Sequence, residues 1–270
     1  MRRTLTVLLT VALALAGLTL PAAAAENAPV LSRIVEKGEF HVGMSGDQPP
    51  FNMKNKDGKL IGYDVDLATM LADAMGVELV IDTMPFGQLL PALKAGKIDA
   101  IMSGMTMTPK RNLEAAFVGP YVVSGKTILT TDATLAKASD AKELDITGMT
   151  VVALKGSTSE AFAKRAMPNA KLVAVSDYET GVKKVLDGTA NFMVADLPIL
   201  ALTVLRHPDE GLVLSDELLS IEPIGIALPA GDSLMLNMVE NSVKTLDGLG
   251  ILDKLEQKWF QNGDWVDQLK

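Results

Sequence analysis

The sequence contains no cysteine, which excludes disulfides, thiolate metal sites, cysteine nucleophiles and a lipid-bearing cysteine. Histidine is almost as scarce. His41 and His207 lie far apart, outside any H-E-x-x-H pattern, and are expected at the surface, with no metal between them. Neither accompanies a G-x-S-x-G elbow, so a Ser-His-Asp triad has no support. Basic charge is in deficit, with 25 Lys and Arg against 33 Asp and Glu, so phosphate backbones are repelled and nucleic acid is not an expected partner. The one glycine-bearing phosphate candidate, Lys155-Gly156-Ser157-Thr158, lacks P-loop spacing. No cofactor is expected.

The N-terminus reads as an export signal over residues 1–25. Arg2 and Arg3 supply charge, Leu5 to Leu20 an apolar core, and Ala22 to Ala25 the small residues of a cleavage site. Its removal takes the formal net charge from −8 to −10. No other segment is apolar for long enough to span a bilayer. The expectation is a free monomer of a bacterial periplasm, long enough for two modest domains.

The most informative stretch is Ser103-Gly104-Met105-Thr106-Met107-Thr108-Pro109-Lys110-Arg111, directly after the apolar run Ile98 to Met102. A buried strand is expected to end there in small, hydroxyl-bearing residues, turn at a proline and present an arginine. Small residues admit a ligand to the backbone, hydroxyls give short hydrogen bonds, and a guanidinium grips a carboxylate with two prongs. Upstream, Phe40 to Met44 reads as a strand, Lys56-Asp57-Gly58 as a hairpin turn, and Leu67 to Met75 as a helix ended by Gly76 and capped by Asp64 or Asp66. Val77 to Ile81 is strand-like, and Gln88 to Ala95 is a second helix.

Ala95 to Gly104 is echoed by Asp187 to Asp196: a helix end, a glycine, then a strand finishing at a polar or permissive position. Two such units suggest two α/β lobes of similar build, with Gly104 to Arg111 opposing Asp196, since ligands of open α/β sheets sit outside the carboxyl ends of strands. Ser124 to Thr130 and Ile224 to Leu228 are strands expected to cross between lobes as a hinge. Lobe 1 is then 26–126 plus 223–270 and lobe 2 the inserted 127–222. Leu246, Leu249, Ile251, Leu252 and Leu255, closed by Trp259 and Phe260, form a packing stripe on the tail helices.

These motifs resemble the periplasmic solute-binding proteins for polar amino acids, the receptors of ATP-driven importers. The carriers are Pro50-Phe51, Gly62 to Ala68, Leu90 to Ala100, Ser103 to Arg111, Gly119-Pro120-Tyr121, Lys155 to Thr158 and Ala195-Asp196. The resemblance implies a two-lobed fold, each lobe a mixed sheet flanked by helices. It also implies capture of an L-amino acid between the lobes and delivery to a membrane permease. By the same resemblance Arg111 binds the α-carboxylate, Thr106 and the Gly104 carbonyl hydrogen-bond the ligand, a Thr158 backbone N–H meets the carboxylate, and Asp196 pairs with the α-ammonium. From the residues alone, Asp196 could equally cap the helix that follows it, and Arg111 could be a solvated helix charge. Phe86 stands where the family places an apolar or aromatic group, or else packs in the core. Ser45 and Gln48 depart from the acidic and aromatic residues found there, which leaves the ligand's side chain open.

Two other readings compete. Some relatives are dehydratases of prephenate-like acids, for which Glu160 and Glu222 are the candidate general acids, although a helix first turn and a hinge surface account for both. A soluble sensor reporting to a membrane protein is the other.

Overall fold

The computed structural model describes residues 28–269; the expected export signal lies outside them. Among the described residues no helix is long and apolar enough to cross a membrane. β1 (Glu39–Met44) lies between β5 (Glu78–Thr83) and β6 (Ala100–Ile101) in a parallel trio. A second parallel trio sets β8 (Thr150–Leu154) between β9 (Lys171–Val175) and β10 (Phe192–Asp196). The central strands read as unbroken apolar runs because both faces are covered: Val151 to Leu154 and Phe192 to Asp196 are buried throughout.

Two antiparallel strands, β7 (Ala116–Thr130) and β12 (Ser220–Leu228), join the trios. The hydrogen-bonded order is β5-β1-β6-β12-β7-β10-β8-β9, with β11 (Val213–Leu214) added on β7. The sheet is therefore continuous through the crossing strands. Lys126 and Pro223 lie within β7 and β12. A small sheet of β2 (Asp47–Gln48), β3 (Asn52–Lys54) and β4 (Leu60–Ile61) holds the expected hairpin. The internal echo is realised, since Gly96 (φ 66°) and Gly188 (φ 72°) close the helices ahead of β6 and β10.

Three expectations are corrected. The helix Tyr63–Met75 begins one turn earlier than its apolar period suggests, and neither acid caps it; its N-cap is Gly62, with no side-chain cap. Asp66 accepts from Lys258 (2.6 Å) and Trp259 Nε1 (2.8 Å), tying down the tail. Asp64 turns inward and accepts from the Tyr121 hydroxyl (2.6 Å), Asn52 Nδ2 (2.9 Å) and the Gly104 N–H (2.9 Å). It thus fixes the loop after β6 to the helix. In the tail, Leu252, Leu255 and Trp259 are buried, but Leu249 is 64% exposed. It sits at the turn between helices Ser233–Gly248 and Ile251–Glu256, where Gly250 adopts φ 66° and the stripe changes direction. His41 and His207 are half-buried, each beside carboxylates: Asp82 and Glu39 for His41, Glu210 for His207.

Gly62 adopts φ 139°, and a Cβ there would stand 2.2 Å from the Phe51 carbonyl oxygen. We expect Gly62→Ala to cost about 3 kcal/mol or more, read as a lower urea midpoint at unchanged m; a wild-type midpoint would refute the clash. Burial pushes the Asp64 carboxyl up, three hydrogen bonds pull it part of the way back, and the net position is about 6. The folded state thus holds this proton more tightly than the unfolded chain, whose group titrates near 3.8. Stability from this group is greatest in acid and falls as pH rises from about 4 to about 6, by about 3 kcal/mol. Asp64→Asn should flatten that limb of the stability–pH curve; an unchanged slope would assign it to other groups.

Candidate functional site

Each of the two parallel trios ends in the same seam. After β1 come Ser45 and Gln48, after β5 Phe86, and after β6 Gly104, Thr106 and Arg111. From the other trio come Thr158 after β8, Tyr178 after β9, and Asp196 as the last residue of β10. Strand carboxyl ends expose backbone amides and loop side chains to whatever lies above the sheet.

Arg111 is delivered by a one-turn helix, Pro109–Asn112, whose N-cap Thr108 Oγ1 accepts the Arg111 N–H at 3.2 Å. The side chain is 9% exposed, not solvated. Nη1 donates to the Thr106 carbonyl (2.8 Å) and Nη2 to the Gly156 carbonyl across the seam (3.3 Å), while the Phe86 ring centroid lies 5.6 Å from Cζ. No carboxylate among the described residues stands within ion-pair distance. Burial lowers the guanidinium's pKa, and the charges of Asp196 and Glu222 oppose that. It remains a cation with donors to spare.

Opposite it is a cluster of three charges. Asp196 precedes the helix Leu197–Arg206, yet its side chain makes no cap. Lys126 faces Asp196 in register across β7 and β10, and its ammonium lies 3.3 Å from Asp196 Oδ1 and 3.1 Å from Glu222 Oε1. It also donates to Thr158 Oγ1 at 2.7 Å. The Thr158 hydroxyl donates to Glu222 Oε2 (3.0 Å) and meets Thr106 Oγ1 from the other trio at 3.2 Å. Burial raises the Asp196 carboxyl, Lys126 lowers it and Glu222 raises it again; the net direction is upward. For Glu222 burial also acts upward, but Lys126 and the Ser220 and Thr106 hydroxyls outweigh it and leave it below the usual range. Glu222 is 6% exposed, so its expected place on a hinge surface is corrected. Glu160 is not in this cluster; it bonds the Gly156 N–H and Lys164.

Thr158 opens the helix Thr158–Ala166 behind its N-cap Ser157, so its backbone N–H has no intrahelical acceptor. Ser45 and Gln48 form a separate set. Gln48 Oε1 accepts from the Ser45 (2.7 Å) and Ser103 hydroxyls. Its amide nitrogen is the end left to the seam. There it meets Tyr178, a buried phenol whose pKa is raised by desolvation and by Asp196 and Asp47, and lowered by Gln48 and Arg111. Gly104 lies against the Phe51 ring and Gln48. A cavity of ≈ 710 Å³ reaches Thr106, Arg111, Thr158 and Glu222.

Arg111, Thr106, Thr158 and Asp196 are therefore brought together, Phe86 lies under Arg111, and Ser45, Gln48 and Gly104 line the adjoining wall. Lys126 and Tyr178 are candidate site residues that sequence reasoning missed, and Glu222, weighed there only as a general acid, joins them through Lys126. A lone lysine in Val122-Val123-Ser124-Gly125-Lys126-Thr127-Ile128-Leu129 was the available signal, since an ammonium inside an apolar strand demands a carboxylate partner.

A profile of the bacterial extracellular solute-binding proteins, family 3, matches residues 40–262. The L-arginine-binding protein of Pseudomonas aeruginosa is 30% identical over 92% of this chain and 94% of its own. The cyclohexadienyl dehydratase of the same organism is 28% identical, over 92% and 93%. Among solved structures, an arginine-binding protein of T. maritima has a TM-score of 0.81 at 33% identity, covering 86% of this chain and all (100%) of that one. A binding component of an ABC transporter from Wolinella succinogenes, complexed with lysine, gives 0.79 at 36% over 86% and 99%. The chain is thus a two-lobed, periplasmic-binding-protein-type α/β fold, and it belongs to the family 3 bacterial extracellular solute-binding proteins.

Proposed function

We propose that the protein is a non-catalytic receptor that closes on a free L-amino acid and delivers it to the permease of an ABC importer. The observation that carries this reading is Arg111, a buried guanidinium whose side-chain hydrogen bonds, among the described residues, go to main-chain carbonyls. It has directional donors left for a carboxylate. The Thr158 amide at a helix start supplies a second donor for the same group. Asp196 and Glu222 against one Lys126 leave a surplus negative charge on the other side, suited to an α-ammonium. A zwitterion between them adds contacts to both lobes at once, so it favours the closed form. In this reading 26–126 with 223–270 is one lobe, 127–222 the other, and β7 and β12 the hinge. The working form is a periplasmic monomer released from its leader near Ala25. The arginine-, cystine- and glutamine-binding relatives support the ligand class.

A second reading follows from the dehydratase relative and from Glu222 buried beside the cavity. Elimination from a prephenate-like acid calls for a protonated carboxyl in the cleft. Lys126 holds Glu222 as a carboxylate, which favours binding without turnover.

Arg111→Ala should remove the ligand-dependent rise in melting temperature in a screen of the common L-amino acids, with affinity falling roughly a hundredfold. Wild-type shifts in that variant would reject the carboxylate seat. Wild-type protein incubated with prephenate or arogenate should give no phenylpyruvate or phenylalanine; sustained product formation would establish the enzyme.

A further inference from the structure

We propose that Lys126 acts as a resident ammonium in the cleft that makes the ligand's own ammonium dispensable, so that the receptor takes α-hydroxy acids as well as amino acids. The proposal rests on the receptor reading above and concerns the same site. Three observations carry it. First, Lys126 is 1% exposed and locked by its backbone between Ser220 of β12 and Asp196 of β10. Its ammonium is therefore held in the seam with no ligand present. Second, that ammonium lies within ion-pair distance of both Asp196 and Glu222, and Thr158 accepts its hydrogen bond. Third, Arg111, the other buried cation of the site, takes no part in this cluster and remains for the carboxylate.

The consequence concerns what closure leaves uncompensated. A buried carboxylate facing a ligand position needs a counter-charge once water is expelled. Without Lys126, only the ligand's ammonium could supply it, and an acid lacking that group would be rejected. With Lys126 in place, part of that counter-charge is resident in the seam. Glu222 also accepts from the Thr158 and Ser220 hydroxyls, whereas among the described residues Asp196 accepts from Lys126 alone, so what Asp196 still lacks is a hydrogen-bond donor. An α-hydroxyl supplies a donor as an α-ammonium does. An α-oxo group supplies only acceptors and faces two carboxylates, so α-oxo acids are excluded by the same geometry.

The test is titration calorimetry on the purified mature protein with matched sets: L-leucine, L-leucic acid and ketoleucine; L-phenylalanine, L-phenyllactate and phenylpyruvate; L-arginine and L-argininic acid. For any set whose amino acid binds, the α-hydroxy acid should bind within about tenfold of it and the α-oxo acid at least roughly a hundredfold weaker. In Lys126→Gln/Glu222→Gln, which removes one charge of each sign, the preference for amino acid over hydroxy acid should widen by at least about tenfold. Lys126→Arg, which keeps the cation, should restore the wild-type ratio. A wild-type protein that discriminates against hydroxy acids more than roughly a hundredfold overturns the proposal without any variant, as does an unchanged ratio in the double variant. If none of the common L-amino acids binds in the melting-temperature screen, the receptor reading itself fails, which is a different result.

Discussion

A guanidinium taken out of water and given only carbonyl oxygens keeps its charge uncancelled. Arg111 is in that state, and the surrounding structure is arranged to hold it there. Thr108 caps the turn that delivers it, Phe86 offers its ring face, and main-chain oxygens from both sides of the seam take its N–H groups. A cation so placed raises the value of any anion that can reach it, because the desolvation has already been met by the fold. The same logic, with signs reversed, governs Asp196 and Glu222, where Lys126 supplies part of the compensation.

The sheet explains how residues so far apart in sequence arrive together. Two parallel trios point their carboxyl ends at one seam, and β7 and β12 run between them as continuous strands. Lys126 and Glu222 lie on these crossing strands, so the ionic cluster is seated where the two trios are joined. Thr106, after β6, and Thr158, at the start of the helix after β8, meet hydroxyl to hydroxyl. The Arg111 guanidinium crosses the same seam to the Gly156 carbonyl.

Much of this was legible in the residues. The Thr-Pro-Lys-Arg turn, the repeated helix-Gly-strand unit and the hairpin at Asp57-Gly58 are local signals, because a proline, a positive-φ glycine or a strand end acts within a few positions. Legibility failed where the deciding contact was long-range. Asp64 reads as a cap because it opens a helix, but its partners are Asn52, Gly104 and Tyr121, brought in by three other elements. Glu222 reads as surface because no counter-charge lies near it in the sequence, while the ammonium that pairs with it comes from β7. Tyr178 goes unremarked in the sequence, because groups that surround its phenol, Gln48 and Arg111 among them, come from the other trio.

One small feature sets a limit on the whole movement. A Cβ on Gly156, which adopts φ 79°, would stand 2.8 Å from the Gly87 Cα, and one on Gly87 3.3 Å from the Lys155 carbonyl oxygen. Main chain rests on main chain at that point, so in the receptor reading proposed above closure would stop at a contact whose position owes nothing to the cargo. Molecules of different bulk would then be enclosed to the same depth and differ in how firmly they are gripped, while the outline presented to a docking membrane complex stays the same.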